Sequence, residues 1–253
     1  GGLMSEITER FISRKDLENM TVLKRNSSTK IPVVLTKDGI IYKLEPTHVV
    51  SRFKEYFEIL KSMEELSDCV FADEILYLDS KECGYTTNYL DEYKNVNRII
   101  TKESLSIEQK KMIIYKIIQT IKNLHKNGVI HNDLQLFNIL VSNTDIKLID
   151  FDQLIIKGNI LDSMYKKRVK GEIQYLNLLI LSILYEKNLS YKSLEEQRVL
   201  INELSVNSEF KGYLNNCLSF NEEQVGEDLQ SYVKSVTKKE ITQGKNLIKS
   251  LKL

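Results

Sequence analysis

The sequence predicts an α+β fold in which a small antiparallel sheet comes first and a larger helical part follows. Residues 20–95 contain short runs rich in β-branched residues, whereas residues 104–253 carry apolar positions mostly at helical spacing. A chain of 253 residues is long enough for one large domain or two small ones. We therefore expect an N-terminal part over residues 1–90 and a C-terminal helical part over residues 91–253.

The composition excludes several classes of protein. A hydrophobic share of 42% and a charged share of 28% are those of an ordinary globular chain and exclude wholesale disorder. Lysine and arginine total 36 against 35 acidic residues, so the net charge of +1 is not that of a general nucleic-acid binder, and we expect no nucleic-acid partner. Cys69, Cys83 and Cys217 lie far apart and form no CxxC pair, which indicates a reducing cytoplasm.

The N-terminal part shows the period and the turn residues of a sheet. Five strands are predicted from such runs, at residues 21–23, 31–36, 40–43, 74–79 and 85–90. Asp38-Gly39 separates the second and third strands and is a strong hairpin signal, because glycine accepts a positive φ. Phe53, Phe57 and Leu60 recur at helical spacing, which predicts one helix over residues 49–66, after the third strand.

The C-terminal part begins with a helix whose ends are marked in the sequence. Ser106 and Gln109 have the spacing of a capping box, and Asn127-Gly128 is typical of a helix end. Short strands are predicted at residues 129–130, 139–141 and 146–149. A mostly apolar helix is predicted over residues 172–185, and further helices from Lys192 onward.

Two polar segments carry the chemistry. The first runs His131-Asn132-Asp133-Leu134-Gln135-Leu136-Phe137-Asn138, and the second is Ile149-Asp150-Phe151-Asp152. A carboxylate near an acceptor hydroxyl can orient it and take its proton, while amide and carboxylate oxygens are the ligands that magnesium prefers. This combination is suited to phosphoryl transfer, a reaction that depends on positioning and charge stabilisation.

The two segments resemble the catalytic loop and the metal-binding loop of the protein-kinase-like superfamily, whose patterns are H-x-D-L-x-x-x-N and D-F-G. The resemblance implies a two-lobed fold with ATP and Mg²⁺ in the cleft between the lobes. It implies that Asp133 is the catalytic base, that Asn138 binds a magnesium ion, and that Asp150 bridges the metal and the ATP phosphates.

Other positions fit the same family. Lys43, at the end of the third predicted strand, resembles the lysine that contacts the α and β phosphates. The following helix offers Glu55 and Glu58 as its ion-pair partner, and the spacing favours Glu58. The resemblance also implies that Asn88 and Leu90 belong to the hinge that meets adenine through backbone groups.

Several positions depart from the family pattern. The turn at residues 26–30 has no glycine, so the hydroxyls of Ser27 and Ser28 and nearby N–H groups are candidates to replace the Gly-rich phosphate loop. Asn132 stands where regulated protein kinases have an arginine, which disfavours switching by loop phosphorylation. Asp152 replaces the glycine of D-F-G and is a candidate third metal ligand.

The region after the metal-binding loop differs most. Residues 151–171 form a short connector without proline, which disfavours docking of an extended peptide. Together with Gln174-Tyr175-Leu176-Asn177-Leu178-Leu179, the I-D-F-D loop resembles bacterial kinases of lipopolysaccharide core sugars. That finer resemblance implies a sugar or glycolipid hydroxyl as acceptor.

Two basic stretches remain. One cluster lies in the connector and comprises Lys166, Lys167, Arg168 and Lys170. It is typical either of a solvated surface or of a site for an anionic acceptor, since Lys and Arg pair well with phosphate and carboxylate. Residues 234–252 are basic and amphipathic. Docking on the chain's own domain is the interpretation we favour, and contact with the inner surface of a membrane is the alternative.

The sequence therefore predicts a cytoplasmic, ATP- and Mg²⁺-dependent kinase that phosphorylates a hydroxyl of a sugar, glycolipid or other small acceptor. One alternative is a minimal serine/threonine protein kinase with a shortened activation segment. A second alternative is a pseudokinase scaffold, which the set Lys43, Asp133, Asn138 and Asp150 disfavours.

Overall fold

The computed structural model describes residues 6–253. The chain divides into two compact units. The first extends to Glu92 and also contains Ile149–Asp152, and the second comprises Tyr93–Leu148 and Gln153–Leu253. The segment Ile149–Asp152 therefore belongs to the same unit as the N-terminal sheet, although it is distant in sequence.

The first unit is built on a six-stranded sheet. Its strands are β1 (Thr8–Ile12), β2 (Thr21–Arg25), β3 (Pro32–Lys37), β4 (Ile40–Leu44), β5 (Glu74–Leu78) and β6 (Lys81–Asn88). Their order across the sheet is β1-β5-β6-β4-β3-β2, and all neighbours are antiparallel except β1 and β5. The α+β class and the antiparallel-rich sheet are confirmed, as is the hairpin, where Asp38 and Gly39 have φ of 53° and 75°.

Strand β1 was not expected from the sequence. Its partner β5 lies more than 60 positions away, and the two pair in parallel from Thr8 with Glu74 to Ile12 with Leu78. Its side chains are exposed or half-buried, so no apolar alternation marks it. A strand held mainly by a non-local ladder leaves little trace in its own residues.

Two helices accompany this sheet, the short α1 (Arg14–Glu18) and the longer α2 (Thr47–Lys61). Val50, Phe53, Phe57 and Leu60 are the buried residues of α2, which is the stripe expected for an amphipathic helix. The helix ends earlier than predicted, because the chain turns at Ser62 and continues as a 3₁₀ turn over Glu64–Leu66.

Gly84 allows β4 and β6 to approach each other. It pairs with Leu44 and has a φ of 153°. A Cβ atom at this position would lie 2.0 Å from the main-chain oxygen of Lys43. Any other residue would therefore clash with the backbone of Lys43, which the family resemblance places at the ATP phosphates.

Replacing Gly84 by alanine should destabilise the chain by about 2 kcal/mol or more, because a clash with backbone can be relieved only by moving a strand. Chemical denaturation measures the effect. Gly212 is a matched control, since it is helical and a Cβ atom there meets nothing within 4 Å. Gly212→Ala should stabilise by about 0.5–1 kcal/mol. Equal stability of Gly84→Ala and the parent chain would contradict the close approach.

The second unit is largely helical. Its helices are α3 (Val96–Lys102), α4 (Ile107–Lys126), α5 (Asp162–Tyr185), α6 (Leu194–Glu203), α7 (Ser208–Leu218), α8 (Leu229–Ser235) and α9 (Lys238–Ser250). Its short strands are β7 (Lys94–Asn95), β8 (Val129–Ile130), β9 (Ile139–Ser142), β10 (Asp145–Leu148) and β11 (Ile155–Ile156). They form the ladders β10-β9-β7 and β11-β8.

The helix caps follow the sequence signals. The Ser106 side chain accepts from the N–H of Gln109, and the Gln109 side chain accepts from the N–H of Ser106, so the predicted capping box is confirmed. Helix α4 ends at Lys126 with Asn127 as its C-cap, and Gly128 follows with a φ of 71°.

Helix α5 begins ten residues earlier than predicted, at Asp162 rather than Glu172. In its first part Tyr165 and Val169 are buried while most residues around them are polar or charged, so the apolar signal there is weak. The four basic residues at 166–170 consequently lie in the helix and not in a connecting loop. The connector between β11 and α5 is reduced to residues 157–161.

The C-terminal helix α9 packs on its own unit. Ile241, Gly244 and Ile248 are buried, and a Cβ atom at Gly244 would lie 2.2 Å from the ring of Tyr185 in α5. This is the arrangement that we favoured for the basic C-terminal stretch. Among residues 6–253, no helix has the length and apolar character needed to cross a membrane.

Candidate active site

Lys43 lies on β4 and forms ion pairs with two carboxylates of the segment Ile149–Asp152. Its ammonium group pairs with Asp150 and, at 2.6 Å, with Oδ2 of Asp152. The same ammonium lies 5.8 Å from the centre of the Tyr85 ring. The structure therefore brings together Lys43, Asp150 and Asp152, three of the residues selected from the sequence.

Asp152 is the more buried of the two acids, with a side chain 8% exposed against 29% for Asp150. The Tyr85 hydroxyl donates to its Oδ1 at 2.6 Å, and the Arg52 guanidinium donates to its main-chain oxygen at 3.2 Å. Both carboxylate oxygens of Asp152 thus have a protein partner. Asp152 therefore contacts Lys43 and Tyr85 directly, and its role as a metal ligand stays a prediction.

The neighbouring Phe151 and Asp150 show how this segment is anchored. The Phe151 ring is fully buried and packs 4.7 Å from the ring of Phe71, measured between centroids. Asp150 has a φ of 73°, a left-handed conformation that aspartate adopts more readily than most residues. The more exposed carboxylate of Asp150 remains suited to a metal ion.

Glu45 joins the cluster from the end of β4. Its burial and its hydrogen bond with Asp152 raise its pKa to about 8. Burial opposes ionisation of Asp152 as well, but the hydrogen bond from Glu45 and the charge of Lys43 keep the pKa of Asp152 below its ordinary value. The protonated form of Glu45 can therefore donate to the Asp152 carboxylate.

The raised pKa of Glu45 predicts a pH-dependent stability. The stabilising contribution of protonated Glu45 is complete below its ordinary pKa of 4.5 and is lost as the pH rises through about 8. Denaturation of the nucleotide-free chain at several pH values should show a loss of stability over this window. Glu45→Gln, which keeps a donor but does not titrate, should flatten the curve, and the exposed-site control Glu58→Gln should not. An unchanged curve in Glu45→Gln would contradict the assignment.

The predicted pairing of Lys43 with Glu58 is not formed in the structure. Glu55 and Glu58 are both exposed on α2, and within the described residues the ion-pair partners of Lys43 are Asp150 and Asp152. Asp152 thus pairs with Lys43, for which the resemblance implied a helix glutamate as partner. The signal for this was the extra carboxylate in I-D-F-D.

We expect Asp152→Asn to lower kcat/KM for ATP by about tenfold or more, because it removes one of the two charges that hold Lys43 (about 1.4 kcal/mol per factor of ten). Glu58→Gln, which removes one negative charge from exposed α2, should stay within about twofold of the parent. Steady-state kinetics with ATP as the varied substrate measure both. A larger loss in Glu58→Gln than in Asp152→Asn would restore the helix glutamate as the partner.

In the glycine-free turn at residues 26–30, part of the backbone donors are used within the turn itself. The N–H groups of Ser28 and Thr29 donate to the side-chain oxygen of Asn26 at 2.9 and 3.0 Å. Ser27 and Ser28 are exposed at the turn between β2 and β3. Their hydroxyls therefore stay candidates for a phosphate contact, whereas two of the N–H groups are used within the turn.

The predicted hinge residues lie at the end of β6. Asn88 is the last residue of the strand and pairs with Ile40. The N–H of Tyr89 donates to the oxygen of Gly39 at 3.0 Å, and Leu90 follows as a half-buried residue. Their contact with adenine stays a prediction.

The second unit carries the segment His131–Asn138 as a loop that holds Asp133. The Asn138 amide donates to the main-chain oxygen of Asp133 at 2.8 Å and to its Oδ2 at 3.2 Å. The Gln135 amide donates to Oδ1 at 3.1 Å. Asn138 is buried and Asp133 half-buried, so the carboxylate is oriented from two sides and still reachable.

His131 and Asn132 shape this loop. His131 is fully buried, and its Nδ1 accepts from the N–H of Asp133 at 3.1 Å. Asn132 has a φ of 69° and donates from its amide to the oxygen of Gln153 at 3.1 Å. His131 is thus a structural residue, and asparagine at 132 suits the left-handed backbone.

Glu172 fixes the loop from helix α5 and was not predicted as a site residue. Its carboxylate accepts from the N–H of Asn132 at 2.8 Å and of His131 at 3.3 Å, and it lies 3.0 Å from Nε2 of His125. Burial opposes its ionisation, yet the hydrogen bonds with His125 and Asn132 hold the pKa of Glu172 below its ordinary value. In the sequence, the available signal for this role was an acidic residue between the apolar positions Val169 and Ile173.

Magnesium requires hard oxygen ligands, and each unit offers a candidate of its own, Asp150 in the first unit and Asn138 in the second. The Asn138 amide nitrogen faces Asp133, so its oxygen is the atom suited to a cation. In the part of the chain that the structure describes, no group of three or more histidine, cysteine or acidic side chains is gathered for a metal. The donors that fit are thus few, as expected for an ion that is bound largely through phosphates and water.

Comparisons with known proteins agree with this chemistry. Residues 57–156 match the model of the protein kinase domain, a segment that contains Asp133, Asn138 and Asp150. This match supports the protein-kinase-like superfamily. The fold class, an antiparallel-rich sheet followed by a helical part, is the one expected for that superfamily.

Three similar curated proteins carry kinase names. A mitogen-activated protein kinase, HOG1B, of Wallemia ichthyophaga is 26% identical over 157 residues, which are 59% of this chain and 41% of that protein. A probable serine/threonine-protein kinase, PLK, of Dictyostelium discoideum is 28% identical over 113 residues, 43% of this chain and 11% of that protein. Protein kinase kin1 of Schizosaccharomyces pombe is 32% identical over 77 residues, 30% of this chain and 9% of that protein.

The chain thus spans about two fifths or less of these relatives. Their names agree with the protein-kinase-like superfamily. The finer resemblance to kinases of lipopolysaccharide core sugars is not shown by them.

Proposed function

We propose that this chain is an ATP-dependent phosphotransferase that transfers the γ-phosphoryl group to an alcohol hydroxyl. The observation that carries the proposal is the geometry of Asp133, whose carboxylate is oriented by Asn138 and Gln135 in a loop fixed by Glu172. The match of residues 57–156 to the protein kinase domain supports the same chemistry.

The reaction needs a base at the acceptor. The acceptor oxygen forms a bond to the γ-phosphorus while the bond from that phosphorus to the β–γ bridging oxygen breaks, and the electron pair leaves with ADP. Asp133 receives the hydroxyl proton. The amide groups of Asn138 and Gln135 keep its carboxylate turned in a fixed direction, which lowers the cost of reaching the reactive geometry.

The nucleotide side uses the first unit. Lys43 supplies a cation for the α and β phosphates, and Asp152 with Tyr85 keeps that cation in place. Asp150 of the same unit would hold Mg²⁺, which neutralises charge on the phosphates. Because Lys43 is already paired with two carboxylates, binding of ATP involves an exchange of partners around the lysine.

A protein serine or threonine is the acceptor that the comparisons favour. The similar proteins are named as mitogen-activated, serine/threonine or protein kinases. The chain nevertheless covers a small share of each, so the names bear on the chemistry more strongly than on the acceptor.

A small hydroxyl-bearing molecule is the second candidate, and a specific feature favours it. Residues 157–161 are all that join β11 to α5, so the chain has little extended segment with which to hold a peptide. The space beside the catalytic loop is a cavity in the second unit. A cavity suits a compact acceptor better than an extended one.

Asp133→Asn should lower kcat by about 10²–10⁴-fold and leave the affinity for MgATP within about twofold, because the base is lost without a change at Lys43. The exposed acid Asp162 provides the control Asp162→Asn, which should keep full turnover. Near-normal turnover in Asp133→Asn would remove the assignment of the base. Absence of MgATP binding by the parent chain would favour the scaffold alternative.

Transfer from γ-labelled ATP into an extract of the source cells distinguishes the acceptors. After fractionation into protein, lipid-glycan and small-molecule pools, label that depends on Asp133 identifies the acceptor class. Label in protein bands would support the serine/threonine kinase, and label in either other pool would support the small or glycan acceptor.

A further inference from the structure

A cavity of about 700 Å³ lies in the second unit between the catalytic loop and helix α5. Residues 132–137 of the loop form one wall, and the helix contributes Lys167, Arg168 and Tyr175 to another. The volume is within the range of sites for small molecules. Asp133 lines this cavity, so the proposed base faces any ligand that is held here.

The rim carries large apolar side chains that are exposed to solvent. They come from the loop, from α5 and from the segments after α5 and α7, and they are Phe137, Met164, Tyr175, Tyr191 and Phe220. Exposed aromatic groups gathered at a concave site are typical of ligand binding. Such rings can cover the apolar C–H face of a compact ring-shaped molecule and leave its hydroxyl groups to the polar part of the wall.

The charged residues of α5 separate into two pairs. Lys166 pairs with Asp162 and Lys170 with Glu223, and neither lines the cavity. Lys167 and Arg168 both line it, and within residues 6–253 neither forms an ion pair. The helix therefore divides the four basic residues at 166–170, and two of them line the cavity.

The two acids of the cavity wall do not cancel these cations. Glu172 is held by His125 and by the N–H groups of His131 and Asn132. Asp133 accepts from Gln135 and Asn138. Lys167 and Arg168 thus remain available to an anionic group, and such pairs are strongest with phosphate or carboxylate.

We propose that this cavity binds a small polyhydroxylated acceptor bearing a phosphate or carboxylate group, with the anion at Lys167 and Arg168 and a hydroxyl at Asp133. The inference rests on the proposed phosphotransferase function and specifies its acceptor. It commits to a soluble small molecule. An acidic peptide is the competing outcome, which the test includes.

The test compares two double variants that remove the same charge from the same helix. Lys167→Gln/Arg168→Gln removes the cations of the cavity, and Lys166→Gln/Lys170→Gln removes the two that pair elsewhere. Because Lys167 and Arg168 are exposed, both chains should unfold at the same denaturant concentration as the parent within error. Binding is followed by calorimetry and ligand-observed NMR, which do not require turnover.

The probes are inorganic phosphate, glucose 6-phosphate, ribose 5-phosphate and glucuronate, together with uncharged glucose and ribose. We expect the parent chain to bind at least one phosphorylated or acidic sugar at least tenfold more tightly than the uncharged sugars. The cavity variant should lose that binding by tenfold or more, and the control variant should stay within about twofold.

Three results would overturn the inference: no anionic sugar binds, both double variants lose binding equally, or a serine peptide flanked by aspartates binds and the sugars do not. A MgATP titration on the same samples tests the phosphotransferase function separately from the acceptor class. MgATP binding with no sugar binding would refute the acceptor class and leave the phosphotransferase in place. Sugar binding without MgATP binding would refute the phosphotransferase.

Discussion

The ion pairing of Lys43 with Asp150 and Asp152 is the interaction on which the site of the first unit depends. A lysine whose side chain is 19% exposed needs compensating charge. Removal of one partner of a buried ion pair leaves the other charge uncompensated, which lowers the stability of the fold. Gly84 permits the strand approach behind Lys43, and Tyr85 and Glu45 hold the partner acid. The ammonium group of Lys43 thus links the sheet to the segment Ile149–Asp152 and to the titration of Glu45.

The second unit uses the same principle with the charges reversed. Glu172 is a fully buried carboxylate that is satisfied by His125 and by two main-chain N–H groups of the catalytic loop. Since a buried carboxylate without donors is unstable, the loop and the helix fix each other. This arrangement fixes the loop that carries Asp133. The same helix also contributes cationic side chains to the cavity beside Asp133.

The sequence was most informative where the determinants are local. The hairpin at Asp38-Gly39, the Ser106 cap and the spacing of Asp133, Asn138 and Asp150 all depend on a few adjacent residues. Strand β1 was missed because its partner lies far along the chain. The partner of Lys43 and the role of Glu172 were missed for the same reason, since a pairing across about 100 or 40 positions is set by tertiary packing.

The most direct test of the account is the binding of MgATP to the purified chain, measured by calorimetry on the parent and on Lys43→Met. The account predicts one site per chain in the parent and at least a tenfold loss of affinity in Lys43→Met, because the lysine is the cation for the phosphates. Binding of equal affinity in both chains, or none in the parent, would contradict it.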